Sequence, residues 1–350
     1  AVLDGEGRFV DRRRVPNPRD YGAMLEAIAG LVDAAEAATD HSFDRLGIGI
    51  PGSPSPATGL IRNANSTWMN GHALGRDLEH RLGRPVRMAN DANCMALSEA
   101  TDGAGRGARS VFGVIIGTGC GGGLVLDGKL IEGQNGLAGE WGHIPLPAAR
   151  PDEDSTCWCG RRNCLETWIS GSGLARDHAA VTGQSLSAHD LIAAARAGDA
   201  DAKASLDRHR DRLGRGLAMV INLIDPEVIV IAGGLSNVSE IVDGALETLR
   251  PHVFSDVVTT QVRRADHGDS SGVRGAAWLW PDQTRGYLDQ CLRKRPGRRS
   301  LRAVGRLARS PGGLPHRLTC QTGSSWIPGE RPGRRAGPEG ANTLPPGRLA

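Results

Sequence analysis

No run of about 18 apolar residues occurs in the chain, which excludes a membrane-spanning helix of the usual length. The opening stretch, AVLDGEGRFVDRRR, lacks the pattern of a signal peptide. It also lacks an initiator Met and opens inside an apolar run, so the sequence is expected to be a fragment. Aromatics are scarce at 4%, which leaves the 39% hydrophobic content to Ala, Leu, Val and Ile, as in a soluble α/β protein long enough for two domains. Walker A and Rossmann fingerprints are absent, because the richest glycine run is followed by a strand pattern rather than a helix and no Lys-Ser/Thr closes it. The seven cysteines do not suit a disulfide framework. Cys157, Cys159 and Cys164 crowd one short stretch, which points to metal binding in a reducing, cytoplasmic setting.

Positive charge is missing from most of the chain, although the formal net charge is +3. Residues 283–350 hold 14 Lys/Arg and three acidic residues, leaving 28 basic against 36 acidic residues, about −8, for residues 1–282. An acidic body lacks the positive field that neutralises phosphates, so no nucleic-acid partner is expected. From Pro281 onward the pattern dissolves into Arg, Gly and Pro. Residues 283–350 are therefore expected to be a disordered or non-native tail, with a basic nucleic-acid arm as the alternative.

Along the body, Leu25, Ile28, Leu31, Val32 and Ala35 fall at helical spacing, and Leu46–Ile50 reads as a short buried strand ended by Pro51-Gly52. Arg84–Ala89 reads as a strand running into Asn90-Asp91-Ala92-Asn93, and Cys94–Ala100 as a helix. Val111–Ile116 is a strand, Gly117–Gly123 a turn, and Leu124–Leu126 extended again. Asp127-Gly128 then supplies a type I′ hairpin before Lys129–Ile131. A helix face of Leu206, Leu213, Leu217, Val220 and Ile221 stops near Asp225-Pro226, and Val228–Ile231 is a buried strand ending at Gly233-Gly234.

Four groups of residues carry chemistry. Gly117, Thr118 and Gly119 lead a run whose backbone N–H groups suit phosphate oxygens, with a plain structural turn as the alternative. Gly233 and Gly234 could let a nucleoside lie close to the backbone, or simply start a helix capped by Ser236 or Asn237. Asp91, at a strand-to-helix turn, could accept a hydroxyl proton during phosphoryl transfer, or cap the following helix. Cys157, Cys159 and Cys164, with His143 upstream, make a Cys3His set sufficient for a closed structural zinc site, against the alternative of three free thiols. Gly160 is placed for the sharp turn such a site needs. Glu140 and Glu166 bracket these ligands, and paired carboxylates suit sugar hydroxyls.

These motifs, in their order and approximate spacing, resemble the ROK sugar kinases: Asn90–Asn93, Ile116–Gly119 with its glycine run, Gly139–His143, the cysteine cluster ending at Glu166, and Ala232–Gly234. Asn63–Trp68 and His267–Trp278 look particularly like the bacterial fructokinases. The resemblance covers residues 1 to about 282. It implies an α/β, actin-like (ribonuclease H-like) two-domain ATPase fold with a ligand cleft. The N-terminal domain would span 1–108, the C-terminal ROK domain 109–270, and a helix over 271–282 would return to the N-terminal domain. It implies Asp91 as the catalytic base, sugar contacts from Asn65, Asn90, Glu140, His143 and Glu166, and phosphate and adenosine contacts from Gly117, Thr118, Gly119, Gly233 and Gly234. ATP with Mg²⁺, structural Zn²⁺ held by His143, Cys157, Cys159 and Cys164, a free hexose and a homodimer complete the implied set. D-fructose, phosphorylated at the 6-hydroxyl, is the expected substrate, with mannose or glucose next. A ROK regulator would need a helix-turn-helix, which residues 1–20 do not show. A sugar-binding remnant is the remaining alternative, because family members open with an Asp-x-Gly-Gly-Thr loop on the ATP phosphates and residues 1–20 contain none. One sheet edge and half of the phosphate clamp are thus expected to be missing.

Overall fold

The computed structural model describes residues 1–280 and 317–321. Its first part runs β1 (Val2–Leu3), β2 (Phe9–Asp11), α1 (Tyr21–Thr39), β3 (Leu46–Ile50), β4 (Ser53–Pro54), β5 (Ile61–Arg62), α2 (Leu74–Leu82), β6 (Val86–Asn90) and α3 (Asp91–Asp102). The second runs β7 (Ser110–Ile116), β8 (Cys120–Leu126), β9 (Lys129–Ile131), α4 (Glu166–Ile169), α5 (Gly171–Thr182), α6 (Ala188–Arg196) and α7 (Ala200–Ile224). It continues through β10 (Val228–Ala232), α8 (Ser239–Val242), α9 (Ala245–Leu249), β11 (Gln261–Arg264) and α10 (Ser271–Trp278), and β12 (Arg317–Gln321) comes last.

Local chemistry accounts for most of these boundaries. Asp20 caps α1 by accepting from the Ala23 N–H at 2.8 Å, and the helix stops at Asp40, which takes the left-handed conformation. Its buried stripe of Met24, Ile28, Val32 and Ala35 packs with Leu46, Ile48 and Ile50 of β3 in one core. A second core lies around α7, where Leu213, Leu217 and Ile221 meet Val114, Ile116, Ile229 and Ile231.

Two five-stranded sheets result. The second has the order β11-β10-β7-β8-β9, with β10 parallel to β7 and β11 and with β7, β8 and β9 antiparallel. The first has the order β2-β1-β12-β3-β6, with β3 parallel to both β6 and β12. α3 packs against β7, β8 and α10. Its crossing with α10 is so tight that a Cβ at Gly275 would lie 1.6 Å from the Cys94 carbonyl oxygen.

The tail requires a correction. Residues 317–321, expected to lack structure along with the rest of 283–350, form β12 in the middle of the first sheet, parallel to β3 and antiparallel to β1. The position expected to be an unpaired edge is therefore filled. The reason is backbone accounting: Leu46, Ile48, Val2 and Leu3 are fully buried, so the N–H and C=O groups beside them need a strand where water cannot reach. The other residues of 283–350 lie outside those described. The glycine run differs as well, because the turn is only Gly117–Gly119, while Gly121, Gly122 and Gly123 lie within β8.

A buried ionic cluster ties the segment between His143 and Cys164 to α7. The Glu153 carboxylate accepts from Arg212 Nε at 2.8 Å and Arg215 Nη1 at 2.9 Å, and these three side chains are at most 5% exposed. Burial alone would raise its pKa, but the hydrogen bonds from Arg215 and Arg212 outweigh burial and push it down to about 2. Glu153→Gln should therefore destabilise the fold by about 1–3 kcal/mol, because two buried guanidiniums lose a shared carboxylate and are left with one each, Asp177 for Arg212 and Asp211 for Arg215. A fall in the urea midpoint checks this. The stabilisation from Glu153 is present above the carboxyl's ordinary 4.5 and is lost as pH falls toward about 2. The variant should thus lose its disadvantage in acid.

Candidate active site

β6 delivers Asn90 and Asp91 to the cleft because its C-terminal end runs directly into α3. The N-cap is Asn90, whose Oδ1 accepts from the Ala92 N–H at 2.9 Å; Asp91 is the first helical residue. The capping alternative for Asp91 thus passes to its neighbour, although Asp91 Oδ1 also accepts from Ala92 N–H at 2.8 Å. Asn90 Nδ2 donates to the Gly52 carbonyl at 3.1 Å, fixing the turn after β3 against the turn after β6.

Glu140 precedes and His143 closes the single turn Trp141–His143, which is pinned by Trp141 Nε1 donating to the Gly121 carbonyl at 2.9 Å. Glu166 opens α4. Its Oε2 accepts from Cys120 N–H at 2.9 Å and its Oε1 from Trp158 Nε1 at 2.7 Å. A Cβ at Gly119 would come within 2.8 Å of Glu166 Oε2, so a side chain there would push the carboxylate aside from the Cys120 N–H.

The three carboxylates influence one another. Burial, and then the charge of Glu140, push the Asp91 carboxyl up to about 6. Burial raises Glu140 too; His143 opposes this, Glu166 adds to it, and Arg62 opposes it. Arg62 was not singled out from the sequence, since an isolated Arg on a two-residue strand carries no local signal. Its Nη2 donates to the Asn135 carbonyl at 2.5 Å. Trp158, between two of the cysteines, carries no sequence signal of its own. It lies edge-on to His143, with ring centroids 5.2 Å apart.

The metal quartet comes together. Ligand atoms of His143, Cys157, Cys159 and Cys164 all lie within 4.8 Å of one another. Cys159 Sγ and Cys164 Sγ are 3.6 Å apart, and Cys157 Sγ is 3.7 Å from His143 Nδ1. Zinc–sulfur bonds of roughly 2.3 Å set tetrahedral edges of about 3.7 Å, so these donors fit a closed zinc site. Two local features build it: Gly160 at φ +84° turns the Cys157–Arg161 loop, and the Pro145–Cys164 bridge brings the third cysteine beneath His143. Cys94 and Cys120 stay free, with burial pushing both thiols up.

Thr118 is exposed at the tip of the turn between β7 and β8. Gly117 N–H donates to the Gly119 carbonyl at 2.9 Å, and the Gly117 carbonyl accepts from Gly171 N–H at 2.7 Å. Gly233, at φ +86°, lies so near that a Cβ would meet the Ile116 carbonyl oxygen at 2.5 Å, whereas Gly234 faces open space. The two glycine turns are thus neighbours at the ends of the paired strands β7 and β10. Gly121 and Gly123 act differently from a phosphate nest: added Cβ atoms would strike Ala92 at 3.0 Å and Asn93 at 2.9 Å, so these residues let α3 press on β8. Asn65 is exposed and, among the described residues, makes no hydrogen bond to the carboxylates.

The ROK family model matches residues 1–283. The chain belongs to the ROK family of sugar kinases. An N-acetyl-D-glucosamine kinase of Salmonella paratyphi A is 41% identical over 289 residues, covering 80% of this chain and 94% of that protein. The crystal structure of a ROK hexokinase from Thermus thermophilus matches with a TM-score of 0.69 and 31% identity, covering 79% of this chain and 90% of that one. A ROK family glucokinase from Streptomyces griseus, crystallised with glucose and AMPPNP, matches at 0.65 and 29%, covering 79% and 93%. The fold of this ROK kinase is accordingly the actin-like ATPase fold implied by its motifs. Among its described residues, no helix is long and apolar enough to cross a membrane.

Proposed function

We propose that this ROK kinase transfers the γ-phosphate of ATP to the 6-hydroxyl of a free hexose, with Asp91 as the general base. The observation that carries the reading is the Asp91 carboxyl, raised to about 6 beside Glu140 at the strand-to-helix turn. A base with this pKa is ionised at neutral pH and still accepts a hydroxyl proton as the oxygen attacks. Asn90, Glu140, His143, Glu166 and Asn65 hold the sugar hydroxyls, and the carboxylates accept paired O–H groups. Gly117, Thr118 and Gly119 offer donors to the ATP phosphates, while Gly233 and Gly234 leave room for the nucleoside. Mg²⁺, when bound with ATP, offsets charge on the transferring phosphoryl group. Zinc on His143, Cys157, Cys159 and Cys164 braces the loop that carries Glu166 and Trp158; all chemical steps remain with the cleft residues.

For the sugar, we favour N-acetyl-D-glucosamine over D-fructose. The fructokinase likeness rested partly on His267–Trp278. Here His267 Nε2 bonds Asp102 at 3.0 Å, and Arg274 pairs with the same carboxylate, at the end of α3 opposite Asp91. These contacts tie α10 and the residues before it to the far end of α3, which takes support away from a fructose preference. The relative at 41% identity, by contrast, is an N-acetyl-D-glucosamine kinase. Coupled ADP release with N-acetyl-D-glucosamine, D-fructose, D-mannose and D-glucose tests both levels. The highest kcat/KM is expected for the acetylated sugar. A fructose optimum would reverse the preference, and binding without turnover on all four would reduce the protein to a sugar binder.

A further inference from the structure

Trp158 is a large apolar side chain that the fold leaves uncovered. Its indole is 66% exposed, whereas Trp141 and Trp168, on either side of it in the chain, are 4% and 7% exposed and belong to the core around α7. A tryptophan normally buries about 150–250 Å², and an indole left in water forgoes most of that gain. The backbone beneath it is not a loose end. Cys157 N–H donates to the Arg161 carbonyl at 2.9 Å and Gly160 N–H to the Cys157 carbonyl at 3.0 Å, closing a tight turn that holds Trp158 outward.

The ring is oriented as well as exposed. Trp158 Nε1 donates to Glu166 Oε1 at 2.7 Å, and the ring stands edge-on to His143 with centroids 5.2 Å apart. Glu166 Oε2 accepts from the main-chain N–H of Cys120 at 2.9 Å. Among the described residues Oε1 accepts from Trp158 alone, which leaves one of its two lone pairs open. A hydroxyl donating to that lone pair would sit about 4–5 Å from the indole nitrogen, because both donors share one acceptor oxygen. A substrate held by Glu166 Oε1 thus brings its ring carbons beside the indole.

We propose that Trp158 is a substrate-contacting residue, an apolar platform on which the C–H face of the hexose packs while Glu166 accepts a hydroxyl. The inference rests on the reading of Glu166 as a sugar acceptor. Packing removes apolar surface from water on both partners, and an indole already fixed through its N–H has little freedom left to lose. The hydroxyl at Glu166 is not the one that Asp91 deprotonates. The contact is therefore the same before and during transfer and belongs to KM rather than to kcat.

Trp158→Ala, Trp158→Phe and Glu166→Gln in the full chain test this, with N-acetyl-D-glucosamine, D-fructose, D-mannose and D-glucose as probes. For the sugar that binds best, Trp158→Ala should raise KM and the calorimetric Kd roughly tenfold or more, the effect of about 60 Å² of lost apolar contact. Trp158→Phe keeps a flat apolar ring and should recover most of that loss. Bound sugar should also shield from acrylamide the part of the tryptophan emission that disappears in Trp158→Phe. Zinc content and the urea midpoint should match the parent in both variants. Parent-like sugar affinity in Trp158→Ala, or a Trp158 emission that sugar leaves open to acrylamide, overturns the proposal. An affinity loss that comes with lost zinc or a lowered urea midpoint also overturns it, since the indole would then only cover the cysteine loop. A Phe variant as weak as the Ala variant does the same, because it would leave Trp158 as a hydrogen-bond prop for Glu166. Failure of the underlying reading looks different: Glu166→Gln would then bind every probe as the parent does.

Discussion

Asp91→Asn should lower turnover roughly 10²–10⁴-fold, the range for loss of a general base, while sugar affinity changes much less. The amide keeps the size and hydrogen-bond reach of the carboxylate but cannot take the hydroxyl proton. Helix capping should survive, because Asn90 is the N-cap of α3. Stability moves in the opposite direction from activity. The Asp91 carboxyl is raised from 3.8 to about 6, so its contribution is fully present below the unfolded value of 3.8 and is lost as pH rises through about 6. At pH 8 the amide variant should therefore be at least as stable as the parent, by up to about 3 kcal/mol at 1.36 kcal/mol per pH unit. Wild-type kcat/KM, which reports the free enzyme, should fall about tenfold per pH unit below pH 6. Near-normal turnover in the variant, or a flat acid limb, would remove Asp91 from the base role. Steady-state kinetics, calorimetric sugar titration and urea unfolding at pH 8 supply the readouts.

Stripping zinc should have an effect of similar size on sugar binding. The quartet His143, Cys157, Cys159 and Cys164 holds both the turn bearing Glu140 and the loop leading to Glu166. Losing two carboxylate hydrogen bonds at about 1.5–3 kcal/mol each amounts to roughly 10²–10⁴-fold in affinity. Protein purified without chelator should contain one zinc per chain, and Cys159→Ser should lower both metal content and sugar affinity. Protein that contains no zinc yet binds sugar normally would show that the loop stands without metal. The Glu153–Arg212–Arg215 cluster provides a comparison: it anchors the same segment to α7 by charge, so its loss should lower the urea midpoint while leaving metal content intact.

The site and the fold were legible in the sequence to different depths. Cys157–Cys164 with His143, the Asn90-Asp91 turn and the Gly117–Gly119 turn each lie within short windows, where spacing and local backbone preference are written directly. Tertiary structure decided the rest. That Gly121 and Gly123 serve α3 packing depends on which helix lies over β8. Arg62 acquires meaning only through the approach of Glu140, and Glu153 only through two arginines on α7. β12 is the clearest case. Arg317–Gln321 carries a weak strand signal inside an Arg- and Gly-rich stretch, and its partners Val2 and Leu46 lie at the other end of the chain. Local propensity cannot show that pairing. The buried edges of β1 and β3 select it, because backbone donors and acceptors out of reach of water must find partners wherever the chain can supply them.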